Sequence, residues 1–211
     1  IVGGHSEYAT GRSRPLLSLT CLGVTDRYVP TGGAEPGDRV LLTKGAGIEG
    51  TAILATDFRD DLGSAVSDAV IERAAAFYAD LSVLPESRIV RESATALHDP
   101  TEGGLIDGLL EVAAAAGVEL HIDRSTIPIR DETTTLCRAF EVDPLRIFGS
   151  GALIVTVRPA DSDRILDELE RANIEAAAIG TVEAANEPLV RIDGEVHRSP
   201  VRDDLYRLWS E

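Results

Sequence analysis

The sequence predicts an α/β or α+β fold in which one mixed sheet is packed by helices, and three observations carry that prediction. Short runs of aliphatic and β-branched residues alternate with longer segments whose apolar residues recur every three to four positions. Glycines cluster where a strand pattern gives way to a helix pattern, at Gly45-Ala46-Gly47 and again at Gly103-Gly104. Residues 153–182 read as a complete strand-helix-strand unit.

Taken in order, residues 1–7 read as a strand end entering a glycine turn, residues 15–22 as a mostly apolar strand and residues 24–29 as a second short strand. Turn formers crowd residues 30–38, which marks the best boundary between domains. Residues 39–43 form a buried strand, 45–47 a loop, and 48–58 a helix facing the core through Ile48, Ala52, Ile53 and Ala55. Residues 64–81 continue as an alanine-rich helix with Val66, Ala69, Val70, Ala74 and Phe77 on one side. Residues 88–96 receive no assignment. A helix then runs to Ala116 with Leu105, Leu109, Val112 and Ala113 at helical spacing, Gly117 ends it, and 118–122 is a strand. Residues 131–140 form a helix with Cys137 inward, and Asp143-Pro144-Leu145 opens another short one. After the strand at 153–157 come a helix at 161–172 and a strand at 176–182. Residues 189–192 and 195–198 form a hairpin around Asp193-Gly194. A last amphipathic segment, 201–209, docks Leu205, Leu208 and Trp209 on the sheet.

Composition narrows the function. Among 211 residues, 36 acids oppose 20 bases, for a net charge of -16, and Lys44 is the only lysine. Such a surface repels a phosphate backbone, so nucleic acid is excluded as a partner, and it suits high ionic strength, where salt screens self-repulsion. Cys21 and Cys137 have neither metal-ligand nor disulfide-framework spacing and read as buried packing residues. No run of eighteen apolar residues and no basic-then-apolar leader occurs, which predicts a cytoplasmic protein without membrane contact. The chain has no methionine and opens Ile1-Val2-Gly3-Gly4, which reads as the truncated end of a longer product.

The stretch richest in chemistry is His98-Asp99-Pro100-Thr101-Glu102-Gly103-Gly104. Asp99 reads as a helix N-cap, Pro100 as the first helical residue and Glu102 as the acid of a capping box. Gly103 and Gly104 then fall in the first turn, where each costs about 1 kcal/mol of helix propensity. Two positions without side chains at the positive end of a helix let either an anion or another backbone come close. At Gly45-Ala46-Gly47 the Lys-Ser/Thr ending of a P-loop is missing, and close packing of helix on strand is the better reading. His98 reads equally as a proton carrier or a packed ring. Ser150-Gly151 reads equally as a hydrogen-bonding loop or a tight strand entry.

With Gly3-Gly4-His5-Ser6-Glu7 at the front, the 98–104 motif in the middle, and Asp143-Pro144-Leu145 and Ser150-Gly151-Ala152-Leu153-Ile154 later, the chain resembles the AIR synthase superfamily. That group holds aminoimidazole ribonucleotide synthetase, selenophosphate synthetase, thiamine-monophosphate kinase and the hydrogenase maturation carbamoyl dehydratase. The hydrogenase branch and its archaeal relatives are the most similar. The resemblance implies residues 1–35 as terminal strands of an incomplete ATP-binding and dimerisation domain, and residues 36–211 as a C-terminal domain. It implies ATP and Mg2+ as cofactors, a small-molecule acceptor and a homodimer. It places Thr101, Gly103, Gly104, Ser150 and Gly151 at the phosphates, His98, Asp99 and Glu102 as catalytic candidates, and His5 and Glu7 as metal candidates. Three departures follow. His5 stands where aspartate is common, Glu102 stands where a basic residue would neutralise phosphate, and Leu208-Trp209-Ser210-Glu211 lacks the carbamoyl-carrying terminal cysteine of the hydrogenase branch. The expected function is ATP-dependent phosphoryl-transfer or ligase-type chemistry, with weak ATP binding by this chain alone. The alternatives are a non-catalytic remnant that binds a nucleotide or a protein partner, and a purely structural fragment.

Overall fold

The computed structural model describes residues 2–8, 10–11 and 15–209. Seven strands form one sheet: β1 (Arg39–Thr43), β2 (Ala94–His98), β3 (Val118–Ile122), β4 (Ile154–Val157), β5 (Ala176–Ala184), β6 (Leu189–Ile192) and β7 (Glu195–His197). Their spatial order is β2-β4-β1-β5-β3-β6-β7. All neighbours run antiparallel except β3 and β6, so the sheet is mixed as expected. Among the described residues seven α-helices accompany it: α1 (Ile48–Asp57), α2 (Arg59–Leu62), α3 (Asp68–Ala75), α4 (Leu84–Val90), α5 (Gly104–Ala116), α6 (Asp131–Phe140) and α7 (Pro159–Arg171).

Central strands are apolar on both sides because both sides are covered. Val40 and Leu42 of β1 join Leu120, Ile122, Ile179 and Val182 under Leu105, Leu109 and Val112 of α5. Leu41, between them in sequence, points the other way and packs with Val155, Val157 and the α7 residues Ile165 and Leu169. A third cluster is helical and includes Leu54, Leu62, Ile71, Leu136 and Cys137. Asp193 and Gly194 both take positive φ, 48° and 90°, which closes the β6–β7 hairpin as its sequence requires.

Several expectations change. The strands foreseen at 15–22 and 24–29 carry no ladder. Leu16, Leu17, Leu19, Leu22 and Val24 are each at least 75% exposed, and Cys21 is exposed instead of buried. An apolar pattern gives a strand only when another edge receives its hydrogen bonds. The single helix foreseen at 64–81 divides into α3 and a 3-10 turn at Ala76–Asp80. That turn carries Phe77 onto Ile48 and Ala52 and brings Asp80 to Arg130, 2.7 Å away. The unassigned 88–96 region holds the end of α4 and the start of β2. Asp143-Pro144-Leu145 makes one turn, closed by the Arg146 amide on the Asp143 carbonyl, and no helix. The C-terminal segment docks on the helical cluster and not on the sheet: Leu205 is fully buried among Leu54, Leu136 and Ile147. Among the described residues no helix is long and apolar enough to cross a membrane.

Candidate functional site

Strand β2 ends at His98 and helix α5 begins at Gly104, so residues 99–103 are loop. The capping box does not form. The residue preceding the helix is Gly103, in the left-handed region at φ 76°, with no side-chain cap, and Gly104 follows at φ 68°. Asp99 is therefore not an N-cap, and Asp99, Thr101 and Glu102 are exposed loop residues. The loop is held by its backbone. The Thr101 carbonyl accepts from the amides of Gly104 (3.1 Å) and Gly149 (3.0 Å), and the latter bond joins the motif to the Ser150-Gly151 loop.

Gly104 is explained by a chain that passes against it, and Gly103 by the Asp107 side chain, which a Cβ there would overlap. A Cβ on Gly104 would lie 2.6 Å from the Ile147 carbonyl oxygen and 2.7 Å from that of Leu145, and the Ile106 amide donates to Leu145. The same short segment serves α1 from its other side: a Cβ on Gly47 would lie 3.0 Å from the Ile147 side chain, and the Gly50 amide donates to the Phe148 carbonyl. Residues 144–148 thus thread between two helix starts. Of the two occupants the sequence allowed at Gly103-Gly104, another backbone lies against Gly104. A Cβ on Gly151, at φ 103°, would lie 3.0 Å from the Ile48 side chain at the start of α1, which gives that loop a packing role.

The free amide at the helix start is already taken by a carboxylate. Gly103 N–H donates to Asp203 Oδ2 at 3.1 Å, while Asp203 Oδ1 accepts from the Leu205 amide at 2.9 Å. Burial, first, and the nearby charges of Asp204 and Glu102 push the Asp203 carboxyl up to about 6, against the lowering effect of its two backbone donors. Burial likewise raises Asp107 on α5, which accepts from the Val201 amide at 2.7 Å. Glu102 takes a hydrogen bond from the Tyr206 hydroxyl, which raises the phenol. His98 is engaged at both nitrogens, with Nε2 at 2.6 Å from Glu111 Oε2 and Nδ1 at 3.4 Å from Thr31 Oγ1.

The structure therefore gathers Thr101, Gly103, Gly104, Ser150 and Gly151 into one loop cluster, with Glu102 and Asp99 at its rim and His98 turned toward Glu111. His5 and Glu7 stand in the extended N-terminal stretch, 4.0 Å apart, with side chains more than 80% exposed. Among the described residues no three His, Cys, Asp or Glu side chains are grouped to hold a metal. Two residues escape the sequence reading. Asp203 lies 100 residues from the amide it caps, and no local pattern announces it. Lys44 is conspicuous as the sole lysine, but its role depends on tertiary partners: Nζ lies 2.7 Å from Glu86 Oε1 and donates to the carbonyls of Asp80 and Ser82.

Three comparisons bear on this site. The model of the AIR synthase related protein, C-terminal domain, matches residues 35–193. Carbamoyl dehydratase HypE of Azotobacter vinelandii is 34% identical over 166 residues, covering 76% of this chain and 46% of that protein. The crystal structure of E. coli HypE, a hydrogenase maturation protein, superposes with a TM-score of 0.68 at 24% identity, covering 87% of this chain and 56% of the other. A further HypE structure, in complex with ATP, gives a TM-score of 0.61 at 24% identity over 82% of this chain and 53% of that one. The chain spans about half the length of the relatives it matches.

Proposed function

The chain belongs to the AIR synthase related protein C-terminal domain family, and from that premise we propose that it forms the C-terminal half of an ATP-dependent phosphoryl-transfer or ligase-type protein acting on a small acceptor. The observation that supports this reading is the joining of the 98–104 loop to the 149–151 loop through the Thr101 carbonyl and the Gly149 amide. In this reading the Thr101 and Ser150 hydroxyls face the phosphate end of the nucleotide, and His98, Asp99 and Glu102 flank the acceptor. Catalysis of such transfers is mostly positioning and charge neutralisation. This domain contributes positioning, because Glu102 and Asp203 surround its helix start with negative charge.

As it stands, the helix start does not fit a phosphate: the Gly103 amide is given to Asp203 and the Gly104 amide to Thr101. We therefore assign the principal hold on Mg2+ and ATP to a partner half to which residues 1–35 would belong, and the metal role of His5 and Glu7 is subordinate to it. The exposed leucines at 16, 17, 19 and 22 suit a homodimer interface of a cytoplasmic protein. Calorimetric titration of these 211 residues with magnesium-ATP is expected to give weak or undetectable binding. Micromolar affinity overturns the assignment.

A second reading is a non-catalytic domain that binds a nucleotide or a protein partner, and of these the negative surroundings of the helix start favour the protein partner. Paired aspartates on a strand encoded upstream of Ile1 support the enzyme, and an in-frame start codon directly upstream supports the binding domain.

A further inference from the structure

The C-terminal segment after β7 crosses the loop cluster as a strap, and its contacts converge on one side chain. Val201 is tied to Asp107 of α5, the Asp204 amide and carboxylate to Arg146 and Asp143, and the Arg207 guanidinium to the carbonyls of Phe140 and Glu141. Between these ties Asp203, only 2% exposed, reaches the motif through the Gly103 amide, and Tyr206 reaches it through Glu102.

We propose that Asp203 is a proton-operated latch: its carboxyl group fastens the strap to the start of α5, and protonation of that group tightens the docking. The inference does not depend on the nucleotide reading. Its direction follows from the surroundings. Glu102 of the loop and Asp204 and Tyr206 of the strap lie beside Asp203, while Asp107 of α5 lies beside Gly103 and Arg146 of the 143–146 turn faces Asp107 and Asp204. Among the described residues no cation lies within 4.0 Å of Asp203, and the Arg146 guanidinium is directed to Asp204 at 3.4 Å. A buried carboxylate flanked by other carboxylates costs more when ionised than the same group in water. Asp203 titrates near 6 in the docked strap and near 3.8 when solvated. The docked state therefore takes up a proton first, and docking is favoured as pH falls through 6 and loosened as it rises. Release would free the Gly103 amide.

The protein carries its own reporter. Trp209 is the sole tryptophan, and its ring centroid lies 5.6 Å from that of Phe58, 6.0 Å from Tyr206 and 6.3 Å from Phe148. Acrylamide quenching of Trp209 and amide exchange of Gly103 and Leu205, measured from pH 5 to pH 8, are expected to show an opening equilibrium about tenfold smaller at pH 5. Asp203→Asn is expected to flatten that dependence. A flat wild-type profile overturns the proposal, and so does an inflection that survives in D203N. If D203N does not fold, wild-type exchange decides: Gly103 and Leu205 must open with one shared pH dependence, and separate dependences overturn the latch.

Discussion

Two helices in this molecule begin alike and end up serving different purposes. Both α1 and α5 follow a strand through a glycine loop, and both are entered by a left-handed glycine without a side-chain cap, Gly47 at φ 70° and Gly103 at φ 76°. Both press on residues 144–148. The α1 start meets the side chain of Ile147 and the Pro144 carbonyl, and the lysine before it, Lys44, is turned into an internal pair with Glu86. The α5 start meets the backbone of Leu145 and Ile147 and keeps Asp99, Thr101 and Glu102 at the surface. The first turn is closed on itself, whereas the second leaves polar groups facing solvent. A glycine-rich helix start therefore signals close approach, and what approaches decides whether a surface remains for a ligand.

The strongest break in this contrast is at the internal pair. Lys44→Met leaves Glu86, 1% exposed, as an uncompensated buried charge and should cost about 4 kcal/mol in chemical denaturation. Gly104→Ala should cost about 3 kcal/mol, because both its φ and the two carbonyls within 2.7 Å exclude a methyl group. That outcome opposes the gain that helix propensity alone predicts for alanine, and a stabilised G104A would restore an open, ligand-facing role. Gly47→Ala should cost less, about 2 kcal/mol, and part of that loss should vanish in a double variant with Ile147→Ala. G104A should show no such relief, since its obstacle is backbone. The smallest effect concerns salt. Added KCl should raise the thermal midpoint by a few degrees and slow amide exchange more at the α5 start, beside Glu102, Asp107, Asp203 and Asp204, than at the α1 start. A midpoint that does not rise with KCl removes the case for a salt-adapted surface.

The contrast also marks how far the sequence can be read. Packing at Gly45-Ala46-Gly47 followed from what that loop lacks, and the anion or backbone choice at Gly103-Gly104 followed from the cost of glycine in a first turn. Neither reading could select the occupant, because residues 144–148 and Asp203 arrive from 40 and 100 positions away. Cys21 and the strands at 15–29 failed for a related reason: their apolar pattern describes a surface that needs a cover, and the cover is not supplied by neighbours in sequence.

By itself the sequence determined the mixed α/β class, the Asp193-Gly194 hairpin, the inward face of α5, and the family. The fold class, hairpin and helix face rest on periodicity and turn chemistry, which act over a few residues, and the family rests on the resemblance of its motifs. Tertiary structure alone decided that Asp99 caps nothing, that His98 turns to Glu111, that Lys44 is spent on Glu86, and that a buried carboxylate holds the amide of Gly103. Such outcomes depend on which distant groups are brought within hydrogen-bonding distance, where desolvation and steric exclusion outweigh any local preference.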